Sequence, residues 1–129
     1  MRISVIADLK TSLGEGPLWD AEQQMLYFID SADGRIFRST ADGQQIKAWD
    51  VREKIGSMAL RSDGRGAVVA LEHGLYNFDF QHDELELLHA PEQGLPSNRF
   101  NDGKVDSRGR FVVGSMDANE KAATGKLYS

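Results

Sequence analysis

Three polar residues have the types and settings that chemistry requires. Glu15 lies between Gly14 and Gly16, ahead of Pro17, in the run LGEGPLWD. Arg99 and Asn101 stand two apart at the head of residues 98–116, NRFNDGKVDSRGRFVVGSM. That stretch crowds an arginine, two asparagines and two aspartates into nine positions before an apolar run. A glutamate or asparagine is an oxygen ligand for a hard divalent cation. A guanidinium and an amide on one face suit a polyhydroxylated or carboxylated small molecule, and residues two apart share a face in extended chain. Each also has a plainer reading: a solvated carboxylate in a turn, and a surface arginine beside an asparagine that caps a turn. Spacing alone leaves both readings open for Arg99 and Asn101.

The elements that must position these residues are short strands separated by Gly-marked turns. Alternation predicts a strand over Arg2–Ala7. A Gly- and Pro-marked turn leads into a strand at Pro17–Trp19. Met25–Asp30 (MLYFID) is apolar throughout, as a strand buried on both faces should be. Asp33-Gly34 and Asp42-Gly43 are turn dipeptides around strands at Arg35–Arg38 and Gln45–Trp49. The grammar then restarts: Ser57–Arg61, a turn at Asp63-Gly64, Gly66–Leu71, Leu75–Phe80 and Glu84–His89. A third start gives Gly103–Asp106, a turn at 107–109, Arg110–Ser115 and a strand from Gly125 to Tyr128.

Aligned on their apolar strands, the units superimpose Asp30, Leu71 and Met116, which are 41 and 45 positions apart. Four short strands every ~40–45 residues is the period of a β-propeller blade. The sequence therefore predicts an all-β chain, a single β-propeller domain over residues 1–129 with blade units of about 15–50, 56–90 and 101–129. Propellers close with about 4–8 blades. Two units and part of a third do not complete a ring, so the chain is expected to be the N-terminal portion of a longer protein.

The repeat changes the odds for Glu15. Trp19, Leu60 and Val105 correspond, and four places earlier stand Glu15, Gly56 and Asn101. The first strand of a blade lines the central channel, so this slot is expected just ahead of that strand, at the channel mouth. Two units put an oxygen-bearing group there and the middle unit a glycine, which is expected to leave room. The shared slot favours the metal reading of Glu15.

Other candidates are weaker. Asp102 belongs to a turn or accepts hydrogen bonds behind the site. Asp20 and Asp106 are equivalent and each precedes a turn. The run from Asp30 to Gly34 lacks the spaced acids of an EF-hand and reads as a hairpin turn. His73, His82 and His89 have no ligand spacing, so neither a zinc site built on histidine nor a Ser–His–Asp triad is expected. Trp19, Tyr27, Phe28 and Phe37 are expected in the core. The net charge of −5 argues against nucleic acid or an anionic membrane as partner. No apolar run approaches the ~18 residues of a membrane span, and the first ten residues are too interrupted for a signal peptide. The absence of cysteine excludes disulfides, thiol catalysis and thiolate metal sites, and a cytoplasmic location is expected.

LGEGPLWD, LYFID and SNRFNDGKVDSRGRFVVGSMD resemble the N-terminal half of the senescence-marker-protein, gluconolactonase and regucalcin family, over essentially all 129 residues. The resemblance implies a six-bladed propeller with one divalent metal in its channel, and hydrolysis of a sugar lactone to the aldonic acid. Glu15 would be a metal ligand, and Arg99 and Asn101 would hold the lactone. The family's other ligands, an asparagine and an aspartate that is also the acid–base, come from later blades, so no catalytic residue is assigned in this chain. Calcium, zinc, magnesium or manganese would suit an all-oxygen set. Family members often carry a substrate-contacting acid after GRF, and here Asp117 and Glu120 both fall in that loop. Arg2–Ala7 resembles the strand that closes the ring by pairing with the last blade, and in this chain it would have no partner. A non-catalytic calcium- or ligand-binding propeller is the alternative function, and an inactive fragment a further one.

Overall fold

The computed structural model describes residues 1–129 and contains strands and turns only. Three antiparallel sheets follow one another along the chain. The first holds β1 (Gly14–Asp20), β2 (Met25–Asp30), β3 (Arg35–Ser39) and β4 (Lys47–Asp50) in sequence order. The second repeats that order with β5 (Ile55–Leu60), β6 (Gly66–Leu71), β7 (Leu75–Asp79) and β8 (Glu84–His89). The third has β9 (Asn98–Val105), β10 (Phe111–Asp117) and the short β11 (Leu127–Tyr128), ordered β11-β10-β9. Each sheet is a meander of the kind that forms a propeller blade.

The blades stack face to face, and the core lies between them. Tyr27, Ile29, Ile36 and Trp49 of the first blade meet Ile55, Met58, Ala67, Val69, Leu71 and Phe78 of the second. Burying a large apolar side chain contributes roughly 1.5–3 kcal/mol, so this seam is the main source of cohesion. A smaller cluster of Ala70, Phe100 and Val113 joins the second blade to the third. The turns are held by aspartates at strand ends, where a short carboxylate caps nearby amides. Asp20 Oδ1 accepts from the N–H groups of Glu22 and Gln23, and Asp106 Oδ1 from those of Arg108 and Arg110. Both therefore have the turn role expected of them.

Several expectations need correction. Arg2–Ala7 is not a strand: residues 1–11 carry no strand assignment. An extended segment becomes a strand only by pairing with another backbone, and none of the three sheets includes it. Its apolar residues Ile3 and Val5 are more than 80% exposed. Trp19 is not core but 45% exposed, because it lies on β1, the innermost strand, with no blade seam to cover it. Tyr27 and Phe37 are buried as expected, and Phe28 stacks on Phe37 with ring centroids 5.2 Å apart. The first strands are longer than the apolar pattern indicated, and β1 and β9 begin early enough to include Glu15, Arg99 and Asn101.

Candidate functional site

Glu15, Gly56 and Asn101 share a slot in three dimensions, within the innermost strands rather than ahead of them. Each lies at a break in register. In the first blade the ladder shifts between Glu15 and Leu18. In the second it shifts between Ile55 and Ser57, around Gly56. In the third, Phe100 pairs with Ser115 and Gly103 with Val113, so Asn101 and Asp102 bulge opposite Gly114. A bulge turns side chains out of the regular alternation and often stands beside a site. Glycine and proline at 16 and 17, with Gly16 at φ +60°, make the first break easy for the backbone.

The inner strands β1, β5 and β9 converge on a cleft of about 420 Å³. Its walls are Gly16–Trp19, Ser57 and Met58, and Asp102–Val105. The wall thus starts at the residue after Glu15 on one side and the residue after Asn101 on the other. Glu15 is exposed, while Arg99 and Asn101 are half-buried. Arg99 Nη1 donates to the carbonyl of Phe100 at 3.2 Å, which folds the guanidinium back along its own strand. Neither the Glu15 carboxylate nor the Asn101 amide is tied up by a protein partner. Both are free to meet a ligand.

Contrary to the expectation from sequence, Gly56 does not leave room for a ligand. The backbone of β9 fills that space. A Cβ at 56 would stand 2.8 Å from Asn101 Cα and from Phe100 O, and closer still to Asn101 O. Ser57 Oγ donates to that same Asn101 carbonyl at 2.9 Å. Gly56 and Ser57 together fix how closely β9 approaches β5, and so where Arg99 and Asn101 lie.

The loop after β10 separates the two acids left open there. Asp117 is buried, and its carboxylate accepts from the backbone N–H groups of Asn119, Lys121 and Ala122 at 3.3, 3.0 and 2.9 Å. Those amides hold its carboxyl below the ordinary range. Asp117 therefore builds the loop. Glu120 sits exposed in the left-handed region, φ 55°, with its carboxylate free. Asp102, which bulges out of β9, caps the amide of Gly103 at 2.8 Å.

Sequence reasoning missed Glu92, in the connection between β8 and β9. One carboxylate oxygen accepts from Ser115 Oγ and Tyr128 Oη, both at 2.8 Å, and the other from Asn98 Nδ2 at 3.0 Å. Asn98 in turn accepts from Thr124 Oγ1 at 2.6 Å. Burial pushes the Glu92 carboxyl up, but donation from Asn98, Ser115 and Tyr128 outweighs it and the net shift is down. Tyr128 is pushed up, by burial and by its bond to Glu92. This network pins Asn98, the residue just before Arg99. Its members are 6, 23 and 36 positions from Glu92, so no local motif announces it. Asp30 does similar work in the first blade: buried, it accepts from the amides of Ser12, Leu13 and Asp33.

Glu15 offers a cation one carboxylate, and no three His, Cys, Asp or Glu side chains cluster so as to hold a metal ion. No helix is long and apolar enough to cross a membrane.

Strand order, blade-on-blade packing and bulged inner strands define two four-stranded blades and a three-stranded part of a third in a β-propeller. The chain belongs to the SMP-30/gluconolactonase/LRE-like family, whose model matches residues 13–129. Regucalcin of Xenopus laevis is 30% identical over 95% of this chain and 41% of its own length. L-arabinolactonase of Azospirillum brasilense is 32% identical over 97% of this chain and 42% of its own. The 6-deoxy-6-sulfogluconolactonase of Pseudomonas putida is 36% identical over 81% of this chain and 35% of its own. The solved structure of a luciferin-regenerating enzyme matches with a TM-score of 0.85 at 27% identity, over 92% of this chain and 42% of that one. A calcium-binding regucalcin of Agrobacterium tumefaciens has the same fold, with a TM-score of 0.82 at 24% identity. The chain spans about two-fifths of the length of the first two relatives. The family thus contains lactonases and regucalcins.

Proposed function

We propose that this chain contributes to a metal-dependent hydrolase that opens a sugar lactone to its aldonic acid. Glu15 serves as one ligand of a divalent cation, and Arg99 and Asn101 hold the lactone. The observation that carries the reading is the shared register break. It sets Glu15 on β1 and Asn101 on β9, each with an unpartnered side chain, next in sequence to residues that line one cleft. The names of the arabinolactonase and sulfogluconolactonase relatives support the substrate class. An exposed, unpartnered Glu15 fits a hard cation. When bound, such a cation supplies Lewis-acid polarisation of a carbonyl.

The work of this chain is binding and orientation. The Arg99 guanidinium offers fixed donors to the hydroxyl and ester oxygens of the lactone, and the Asn101 amide both donates and accepts. Holding a substrate in reactive geometry accounts for a large part of rate enhancement. The remaining ligands and the carboxylate that moves the proton are assigned to blades beyond these three. Glu120 is the acid of the loop after β10 left free to reach substrate, since Asp117 is engaged by its own amides.

The test is aldonolactone hydrolysis followed by acid release, with divalent cation present and after chelation. Activity should vanish with the chelator. Glu15→Gln should weaken cation binding sharply, and Arg99→Ala should raise KM while cation binding persists. Hydrolysis that survives chelation, or unchanged cation affinity in Glu15→Gln, would overturn the reading. The calcium-binding regucalcin of Agrobacterium tumefaciens favours a second reading, a non-catalytic cation-binding propeller. Its signature is cation binding lost in Glu15→Gln with no turnover of any aldonolactone.

A further inference from the structure

Away from the inner strands, a cleft of about 640 Å³ opens at the seam between the first two blades. Arg38 and Lys47 enter it from β3 and β4, Arg65 and His82 from the second blade, and Asp79 is its one acid. Such a basic cluster is unexpected in a chain of net charge −5. Arg38 and Lys47 are direct cross-strand partners, and like charges opposite one another destabilise a sheet. Both also lie over the same indole: Arg38 Cζ is 5.7 Å and Lys47 Nζ 4.8 Å from the Trp49 ring centroid. Neither forms an ion pair. The four ion pairs of the chain are Lys10–Asp8, Arg61–Asp63, His82–Asp79 and Arg110–Asp106. Arg38 Nε is buried without any hydrogen-bond partner. Asp79 makes no ion pair with Arg38, Lys47 or Arg65; its carboxylate accepts from the amides of Gln81 and His82 at 2.7 and 3.0 Å and lies 3.1 Å from His82 Nδ1.

The cleft is also held in place. Trp49 Nε1 donates to Phe80 O at 3.0 Å, and Phe80 N donates to Arg65 O at 3.2 Å. Phe80 thereby ties the platform under Arg38 and Lys47 to the strand end that carries Arg65. Arg38 and Lys47 form no ion pair, and Arg65, near enough to Asp63 to lower its carboxyl, lines the same cleft; three cations lining one cleft from two blades match a tetrahedral dianion.

We propose that this cleft binds a phosphate group, free or carried on a small metabolite, through Arg38, Lys47 and Arg65. It lies on outer strands, apart from the cleft that Glu15 and Asn101 border, and does not depend on the lactonase reading. The experiment is calorimetric titration of the protein with sodium phosphate against sodium chloride at matched ionic strength, then with a sugar phosphate. Saturable 1:1 binding of phosphate is expected. Competition by the sugar phosphate marks a metabolite site, and its exclusion marks a site for the free ion. Arg65→Gln should weaken binding about tenfold, the loss of one charge-assisted hydrogen bond. Arg65 is exposed, so this variant leaves the core intact, and Lys47→Gln should act alike. Absence of saturable binding, or wild-type affinity in both Arg65→Gln and Lys47→Gln, overturns the proposal.

Discussion

Gly56→Ala asks whether the closeness of β5 and β9 places the candidate site. The added methyl would stand 2.8 Å from Asn101 Cα and Phe100 O, with Asn101 O nearer still. Ordinary contact begins near 3.5 Å, so β9 would have to retreat by roughly 0.7 Å or more. The obstructing atoms are backbone in a paired strand and cannot rotate away. The cost therefore falls toward the upper end of the overpacking range, about 2–3 kcal/mol. For a chain of this size that is a fall in Tm of roughly 8–12 °C. Gly94→Ala is the internal control, because nothing lies within 4 Å of its Cβ position and its φ is not positive. It should be neutral or stabilise by up to about 1 kcal/mol. Thermal melts followed by circular dichroism compare the two, and amide exchange at Asn101 and Gly103 reports whether β9 has moved. Under the proposed function, displacement near 1 Å should lower lactone turnover on the order of 100-fold. Equal melting of the two variants, or unchanged exchange on β9 in Gly56→Ala, would refute the reasoning.

Other outcomes follow from the same contacts. Asp30 is raised by burial but lowered further by the amides of Ser12, Asp33 and Leu13, so its net shift is down. Its contribution is present above the ordinary carboxyl pKa and is lost as pH falls through the lowered folded value. Asp30→Asn should cost about 1–3 kcal/mol at neutral pH and flatten the acid limb of the stability curve, measured by urea unfolding from pH 7 down to about pH 3. Glu92→Gln removes the carboxylate that Tyr128 bonds, so the Tyr128 phenol should ionise at lower pH, read by NMR of ring-labelled tyrosine. A Tyr128 titration unchanged from wild type would remove Glu92 from the network. Asp117→Ala frees three amides, so exchange at Lys121 and Ala122 should accelerate while that of β10 is preserved.

Much of the fold was legible because local chemistry and tertiary need coincide. MLYFID, GAVVAL and RFVVGS are apolar runs that each become a blade's second strand, with GAVVAL of the middle blade buried on both faces, and Asp-Gly pairs mark the hairpins between. The edges were harder. Gly14 to Gly16 and Asn98 to Asp102 look like loop by composition, yet they are strand, because backbone pairing across a bulge does not require apolar side chains. Arg2–Ala7 shows the converse, an alternating pattern without a partner. Trp19 looked like core by type and is exposed by position.

The sequence by itself determined the repeat, the shared slot of Glu15, Gly56 and Asn101, and the residue types able to bind oxygen-rich ligands. These follow from order and spacing along the chain. Only the tertiary structure decided that Gly56 is a contact with β9 rather than a vacancy. It alone joined Glu92 to Asn98, Ser115 and Tyr128, committed Asp117 to its own loop, and set Arg38 and Lys47 over one indole without a counter-charge. Each depends on how near two segments come when blades stack, a distance that no pattern within either segment encodes.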